Sequence, residues 1–429
     1  MKILFLILIF CFQSSKGLDF EKLQTNSGIQ FWFVKDNSIP IISVNFSFSG
    51  GSSLEKKENH GLSNLMVAMM DEGTENYNSK EFKNTMKLNG MKLSFSSQKN
   101  RIDGVFQIIS SQSKEGFNLF KEALNFPKFS EDEVEKVKKQ IVASIKIDQS
   151  NISSIASDKF NENFFGNHIF SRNIKGSIDS MQNFKRKDLI KFHKKAFQKK
   201  NLVIGVAGDI DKKKIINFID FVFGDLEDTY QIPVIESFSD LSVGEKLYEI
   251  KTPQTSVLFG HPGLARNDKD FFALRIANYI LGGGGFQSRL YKNIREKKGL
   301  VYSVYSYLLP YENDGVLVGG FQTRNKSVYK TIKSVKKNWR DIQKKGINKD
   351  ELENAKDYFN GSFTRNFTST NSIAGLLQIV QYYKLGDNYF KRREEIINSV
   401  DLKKVNEVAT KYFKSEDLFF MIVGEPDRK

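Results

Sequence analysis

The chain has few of the residues that build metal-bound or covalently braced sites. Of its 429 residues one is cysteine, four are histidine and seven are proline. The single cysteine, Cys11, sits inside an apolar run at residues 3–12. Outside that run no disulfide and no thiolate ligand can form, which excludes cysteine nucleophiles and cysteine-based zinc sites. Long hydrophobic runs are missing too. Residues 3–12 have about half the ~20 residues that a bilayer-spanning helix needs, so no stable membrane anchor is expected. With Lys2 before the run and Ser15-Lys16-Gly17 after it, residues 1–17 form a secretory signal, and export to the periplasm is the expectation. Bulky Phe10 ahead of Cys11 argues against lipid attachment.

What is present is a globular composition, 40% hydrophobic and 27% charged, on a chain long enough for two domains of roughly 200 residues each. The formal net charge is +15, but the lysines are spread along the whole chain. Lys212-Lys213-Lys214, for example, directly follows Asp209-Ile210-Asp211. Such a distribution gives a solvated surface rather than a basic stripe, and nucleic acid is not an expected partner.

The two halves of the sequence repeat each other. Phe129-Ser-Glu-Asp-Glu-Val-Glu-Lys-Val-Lys-Lys-Gln-Ile141 matches Ile347-Asn-Lys-Asp-Glu-Leu-Glu-Asn-Ala-Lys-Asp-Tyr-Phe359 at Asp132/Asp350, Glu133/Glu351, Glu135/Glu353 and Lys138/Lys356. At nearly the same offset, Asn201-Leu-Val-Ile-Gly-Val-Ala-Gly-Asp-Ile-Asp211 matches Asp417-Leu-Phe-Phe-Met-Ile-Val-Gly-Glu-Pro-Asp427. Ser130-x-x-Glu133 and Asn348-x-x-Glu351 each predict a capping box at a helix start. β-rich stretches are expected at residues 29–34, 41–48, 256–259, 302–308 and 315–321, and helices at 62–70, 117–124, 271–281 and 328–345. The expectation is an α+β fold in two homologous domains, residues 18–229 and 243–429, with a linker at 230–242.

Residues 28–74 carry Gly28, Pro40, Gly50-Gly51-Ser52 and Glu55, then Gly61-Leu-Ser-Asn-Leu-Met-Val-Ala-Met-Met-Asp-Glu-Gly-Thr74. This succession resembles the start of the pitrilysin/insulinase-type (M16) metallopeptidases, whose catalytic members carry an inverted zinc motif, H-x-x-E-H, in the last stretch. In that motif two histidines share a helix face to bind zinc, the glutamate between them polarises a zinc-bound water, and a glutamate from a later helix completes the ligand set. Here the corresponding positions read Asn64, Val67 and Ala68, and the later one falls at Ile145. Asp148, one turn further on, is too short a substitute. The resemblance therefore implies no catalytic residue and no zinc in this chain. Nor do the histidines offer a substitute site. His60 belongs to a solvated helix start, His168 to a loop, His193 to a lysine-rich exposed face, and His261 to the Gly260-His-Pro-Gly263 turn.

In the second half, Leu281-Gly-Gly-Gly-Gly-Phe286 and Arg295-Glu-Lys-Lys-Gly-Leu-Val-Tyr302 resemble the family's glycine-rich loop and its R-E-x-x-G-L-x-Y segment. The resemblance implies that Gly282, Gly283, Gly284, Gly285, Arg295 and Tyr302 hold the backbone of a peptide, a task suited to a guanidinium fork and a directional phenol. Read without the surrounding motif, Arg295 is a helix surface arginine paired with a nearby carboxylate and Tyr302 a strand core residue. No G-K-[ST] follows the glycines, so a phosphate-cradling loop is not supported. Some family members work as heterodimers, one subunit carrying H-x-x-E-H and the other the arginine–tyrosine pair. By resemblance this chain is the second kind, the substrate-holding subunit of a zinc peptidase acting on unfolded peptides and enclosed with its partner as a clamshell. A scaffold or peptide-binding role without a peptidase partner is the alternative.

Overall fold

The computed structural model describes residues 18–427, so the expected secretory segment lies outside the described residues. The first half runs β1 (Glu21–Gln24), β2 (Gln30–Lys35), β3 (Ile41–Ser49), α1 (Leu62–Ala68), α2 (Ser79–Leu88), β4 (Lys92–Ser97), β5 (Arg101–Ile109), α3 (Ser113–Asn125), α4 (Glu131–Ser150), α5 (Ile152–Phe164), α6 (Ile178–Asn183), α7 (Arg186–Ala196), β6 (Leu202–Gly208) and α8 (Lys212–Phe223). The second runs β7 (Gly244–Glu249), β8 (Gln254–Pro262), α9 (Phe271–Asn278), β9 (Val304–Pro310), β10 (Gly315–Arg324), α10 (Val328–Lys345), α11 (Lys349–Phe363), α12 (Thr370–Tyr382), α13 (Tyr389–Asn398), α14 (Leu402–Tyr412) and β11 (Phe419–Gly424).

Each half builds one mixed sheet, ordered β1-β2-β6-β3-β5-β4 in the first and β7-β11-β8-β10-β9 in the second. Apart from β1 the orders correspond strand for strand. In each, the closing strand runs parallel to the opening one (β6 to β2, β11 to β7) and antiparallel to the next (β3, β8). The repeat legible in the sequence is thus a repeat of topology.

Alternation along the strands sets the cores. On β3, Ile42, Val44, Phe46 and Phe48 face the first core, where they meet Phe106, Phe120 and Phe223. Val257 and Phe259 of β8 and Phe420 of β11 do the same in the second, around the fully buried Trp339. Period-two patterning makes this partition obligatory, because a one-residue slip would turn every apolar side chain to the opposite face.

The opposite faces are covered by helices exchanged between the halves. From the second half, α12 lies on the first sheet through Ile373, Ala374 and Leu377, which cluster with Ala207, Trp32 and Val34, and through polar contacts. Thr370 Oγ1 is 2.8 Å from Ser43 Oγ, Gln378 donates to Ser47 Oγ, and Gln381 Nε2 donates to Ile204 O at 2.7 Å. From the first half, α5 lies on the second sheet, with Phe160 and Phe164 each 5.9 Å from the Phe419 ring and Ser153 Oγ accepting from Gln322 Nε2 at 2.8 Å. Between α8 and β7 the chain forms no helix or strand. It is held by Ser242 N donating to Phe164 O at 3.0 Å and by the His168 ring, whose Nε2 lies 3.0 Å from Glu236 O.

Several local expectations are corrected. The Asn348–Glu351 capping box forms, but Ser130 makes no side-chain cap, and Glu133 instead pairs with Lys136 at 2.9 Å. His193 is not on an open face: its ring lies between Phe129 and Phe197 with Nε2 on Leu124 O at 2.8 Å, and burial lowers it to about 4. His261 lies within β8 rather than in a turn and is fully enclosed. Tyr302 precedes β9 instead of standing inside it, and is 87% exposed.

Candidate functional site

The first candidate region is α1, where catalytic relatives would carry zinc ligands. Gly61 ends the approach with φ at 99°, and the helix starts under the carboxylate of Glu55, which accepts from Gly61 N at 3.0 Å and Ser63 N at 2.6 Å. These are the otherwise unpaired amides of a helix start. Glu55 is itself enclosed, and burial pushes its carboxyl up to about 8 despite the two amides. Ser63 meets Ser97 of β4 at 2.7 Å, seating α1 beside the end strand of the first sheet.

On this helix Asn64 is half-buried, Val67 is buried and Ala68 packs against the first core. Ile145 of α4 is buried in the same cluster. Met66 and Met69 are both fully buried there as well. The helix face that would need polar ligands thus carries one amide, Asn64, beside the hydrocarbon of Val67 and Ala68, and Ile145 adds no donor atom. Asp148 is directed elsewhere, taking Lys175 Nζ at 2.5 Å and Ser154 Oγ at 3.2 Å. These residues do not fit zinc, and among the described residues no group of three or more His, Cys, Asp or Glu side chains could hold a metal ion.

The second candidate region follows α9. The helix continues into a π-helical turn, Tyr279–Gly283, and a second π-helical turn spans Tyr291–Glu296. Such widened turns often mark functional sites because they re-aim side chains. Arg295 emerges from the second one. Its Nη1 donates to the Tyr291 hydroxyl, and its guanidinium lies 4.8 Å from the Tyr291 ring centre and 5.5 Å from that of Tyr302. The structure thus brings the two sequence-picked residues together, with the guanidinium between two aromatic faces. Tyr302 also lines a cavity of about 840 Å³ between α5 and β8–β10, whose walls include Ser157, Ser256, Tyr305, Tyr307 and Arg324.

The four glycines separate into different roles. Gly282 is packed against β9, and a Cβ there would fall 2.2 Å from Ser306 Oγ and 2.9 Å from Ser306 N. Asn278 locks the same contact, donating from Nδ2 to Ser306 O at 3.1 Å and accepting from Ser306 Oγ at 2.7 Å. The turn therefore covers the outer edge of β9 at Ser306. Gly283 and Gly284 continue the turn, and Gly285 adopts φ 54° in open space. None of the four lines the cavity among the described residues.

Sequence reasoning missed the supports of this region. Arg289 makes a two-pronged pair with Glu351, Nε to Oε1 at 2.7 Å and Nη2 to Oε2 at 2.5 Å, tying the end of the glycine loop to the capping box of α11. Tyr291, which holds Arg295, sits four positions before it, a spacing that places two side chains on one helix face and could have been read.

The family described as Insulinase (Peptidase family M16) matches residues 32–202, and the Peptidase M16 inactive domain matches residues 183–359. The chain belongs to peptidase family M16. It is similar to the non-peptidase homologue YmxG of Helicobacter pylori, 27% identical over 91% of each chain, and to an uncharacterised zinc protease, YmxG of Bacillus subtilis, 24% identical over 94% of this chain and 98% of that one. A crystal structure of a peptidase M16 inactive domain from Pseudomonas fluorescens superimposes with a TM-score of 0.90 at 25% identity, covering 96% of this chain and 98% of the other. These likenesses support an inactive, non-peptidase homologue within M16.

Proposed function

We propose that this M16 chain is the substrate-holding subunit of an exported zinc peptidase that degrades unfolded peptides, with zinc supplied by a homologous partner carrying H-x-x-E-H. The observation that carries the reading is the contrast within the chain. The α1 pocket is packed with apolar side chains, whereas Arg295 is clasped by Tyr291 beside an exposed Tyr302. A guanidinium with donors left over and a solvent-facing phenol can hold peptide carbonyls without regard to side-chain sequence. The apolar run at residues 3–12 supports export to the periplasm, and no helix among the described residues is long and apolar enough to cross a membrane.

The test is reconstitution. The purified chain is mixed with an H-x-x-E-H homologue from the same organism, and cleavage of an unfolded peptide is followed with each alone and with both. Cleavage by the pair that exceeds either part and falls on Arg295→Ala supports the reading. Activity of the homologue that is indifferent to this chain leaves the scaffold reading standing.

A further inference from the structure

The cavity beside Tyr302 continues toward Lys99. The space of about 840 Å³ beside Tyr302 shares Ser157, Leu258, Tyr305 and Tyr307 with a further cavity of about 230 Å³ that ends at Lys99 and Tyr311. Together they form a trough along β9. Residues 302–311 span about 30 Å at ~3.3 Å per residue, the length of about nine residues of extended peptide.

Lys99 closes the trough in an unusual electrostatic state. It donates to Phe170 O, and to Arg172 O at 3.2 Å, which leaves one of its three N–H groups. Two other inward-turned lysines make comparable bonds to backbone carbonyls. Lys138 donates to Gln182 O and Phe184 O and also pairs with Glu135 at 2.7 Å, and Lys356 donates to Asn398 O and also pairs with Glu353 at 3.3 Å. Lys99 lacks that second element, since no carboxylate among the described residues lies within ion-pair distance. Asp158 acts on it only from further off and is engaged by Asn173 Nδ2 at 2.9 Å. Burial accordingly lowers the ammonium to about 8. A half-buried cation with no carboxylate beside it is costly to keep charged, and one that lines a cavity of aromatic walls offers its remaining donor to an anionic ligand.

We propose that the trough receives the carboxy-terminal end of an extended peptide, its terminal carboxylate at the Lys99 ammonium and its last side chain among Phe160, Tyr305, Tyr307 and Leu309. This rests on the peptide-holding reading and adds to it a substrate class: chains with a free carboxy terminus ending in an apolar or aromatic residue.

The test compares two forms of one peptide, a fluorescein-labelled decapeptide ending in Phe, made as the free acid and as the terminal amide. Binding to the purified full chain is followed by fluorescence anisotropy. The free acid is expected to bind about 10- to 100-fold more tightly, the value of one charge-assisted hydrogen bond. Lys99→Met should reduce that preference to within about twofold. Leu258→Trp, which fills the trough away from Lys99, should weaken both forms. Equal binding of acid and amide to the unaltered chain overturns this inference and leaves peptide holding intact, and it needs no variant to fold. Absence of binding by either form overturns both. Binding of N-acetylphenylalanine as tightly as the decapeptide would assign the site to a small carboxylate and overturn the peptide assignment.

Discussion

The α1 pocket and the Arg295–Tyr302 turn occupy different halves of one duplicated fold, and they have been furnished in opposite ways. In the first, the motif positions Asn64, Val67, Ala68 and Ile145 carry only an amide or hydrocarbon. In the second, a cation and a phenol stand beside a cavity, braced by Tyr291, Asn278 and the Arg289–Glu351 pair. The lesson concerns what each function requires. Metal hydrolysis needs several groups placed together, so losing one removes the reason to keep the others, and packing then takes the space. Holding a peptide, the role proposed for the second region, needs few donors in a fixed place and the supports that keep them there.

The largest expected effect comes from breaking the apolar side. Val67→Glu puts a carboxylate into the buried cluster with Met66 and Ile145, and should cost about 3–5 kcal/mol of unfolding free energy in urea titration. Adding Asn64→His and Ala68→His should bring neither stoichiometric zinc by elemental analysis nor peptide hydrolysis, because Ile145 supplies no further ligand.

Next is the pH response of α1. Folding raises the Glu55 carboxyl from about 4.5 to about 8, so the folded chain binds its proton more tightly than the unfolded one. The stability this contributes is complete below about pH 4.5 and is lost as pH rises through about 8, a difference of about 5 kcal/mol at most. Thermal melting across that range should show the decline, and Glu55→Gln should flatten it. The buried His193 and His261 act in the opposite sense. Both are lowered from 6.5 to about 4, so their contribution is present above 6.5 and lost as pH falls through about 4.

On the polar side the effect moves from stability to turnover. In a reconstituted pair Arg295→Ala should lower kcat/KM by about 10- to 100-fold, and Tyr302→Phe by less. Tyr302 is 87% exposed, so its substitution should leave the melting temperature unchanged. Loss of turnover that tracks loss of stability would make the pair structural and erase the contrast with α1.

The smallest effect sharpens the comparison inside the glycine run. Gly282→Ala collides with Ser306 and should cost about 1–3 kcal/mol in chemical denaturation. Gly285→Ala meets open space, and its positive φ should cost about 1 kcal/mol. Equal costs would mean that the turn is not anchored through Gly282.

The sequence by itself determined the architecture and what the first half had lost. The repeats around Asp132/Asp350 and Gly208/Gly424 are local patterns of helix and strand, and such patterns are set by side-chain periodicity. The loss at Asn64, Val67 and Ala68 is also local, since ligands four apart share a helix face wherever the helix goes. Only the tertiary structure decided that α5 and α12 cover each other's sheets, that Gly282 is a contact and Gly285 a bend, and that Lys99 lines a cavity with no carboxylate within ion-pair distance. Each depends on groups distant in sequence, Ser43 with Thr370 or Lys99 with Phe170 and Tyr311. A periodic pattern states which way a side chain points, but not what it meets there.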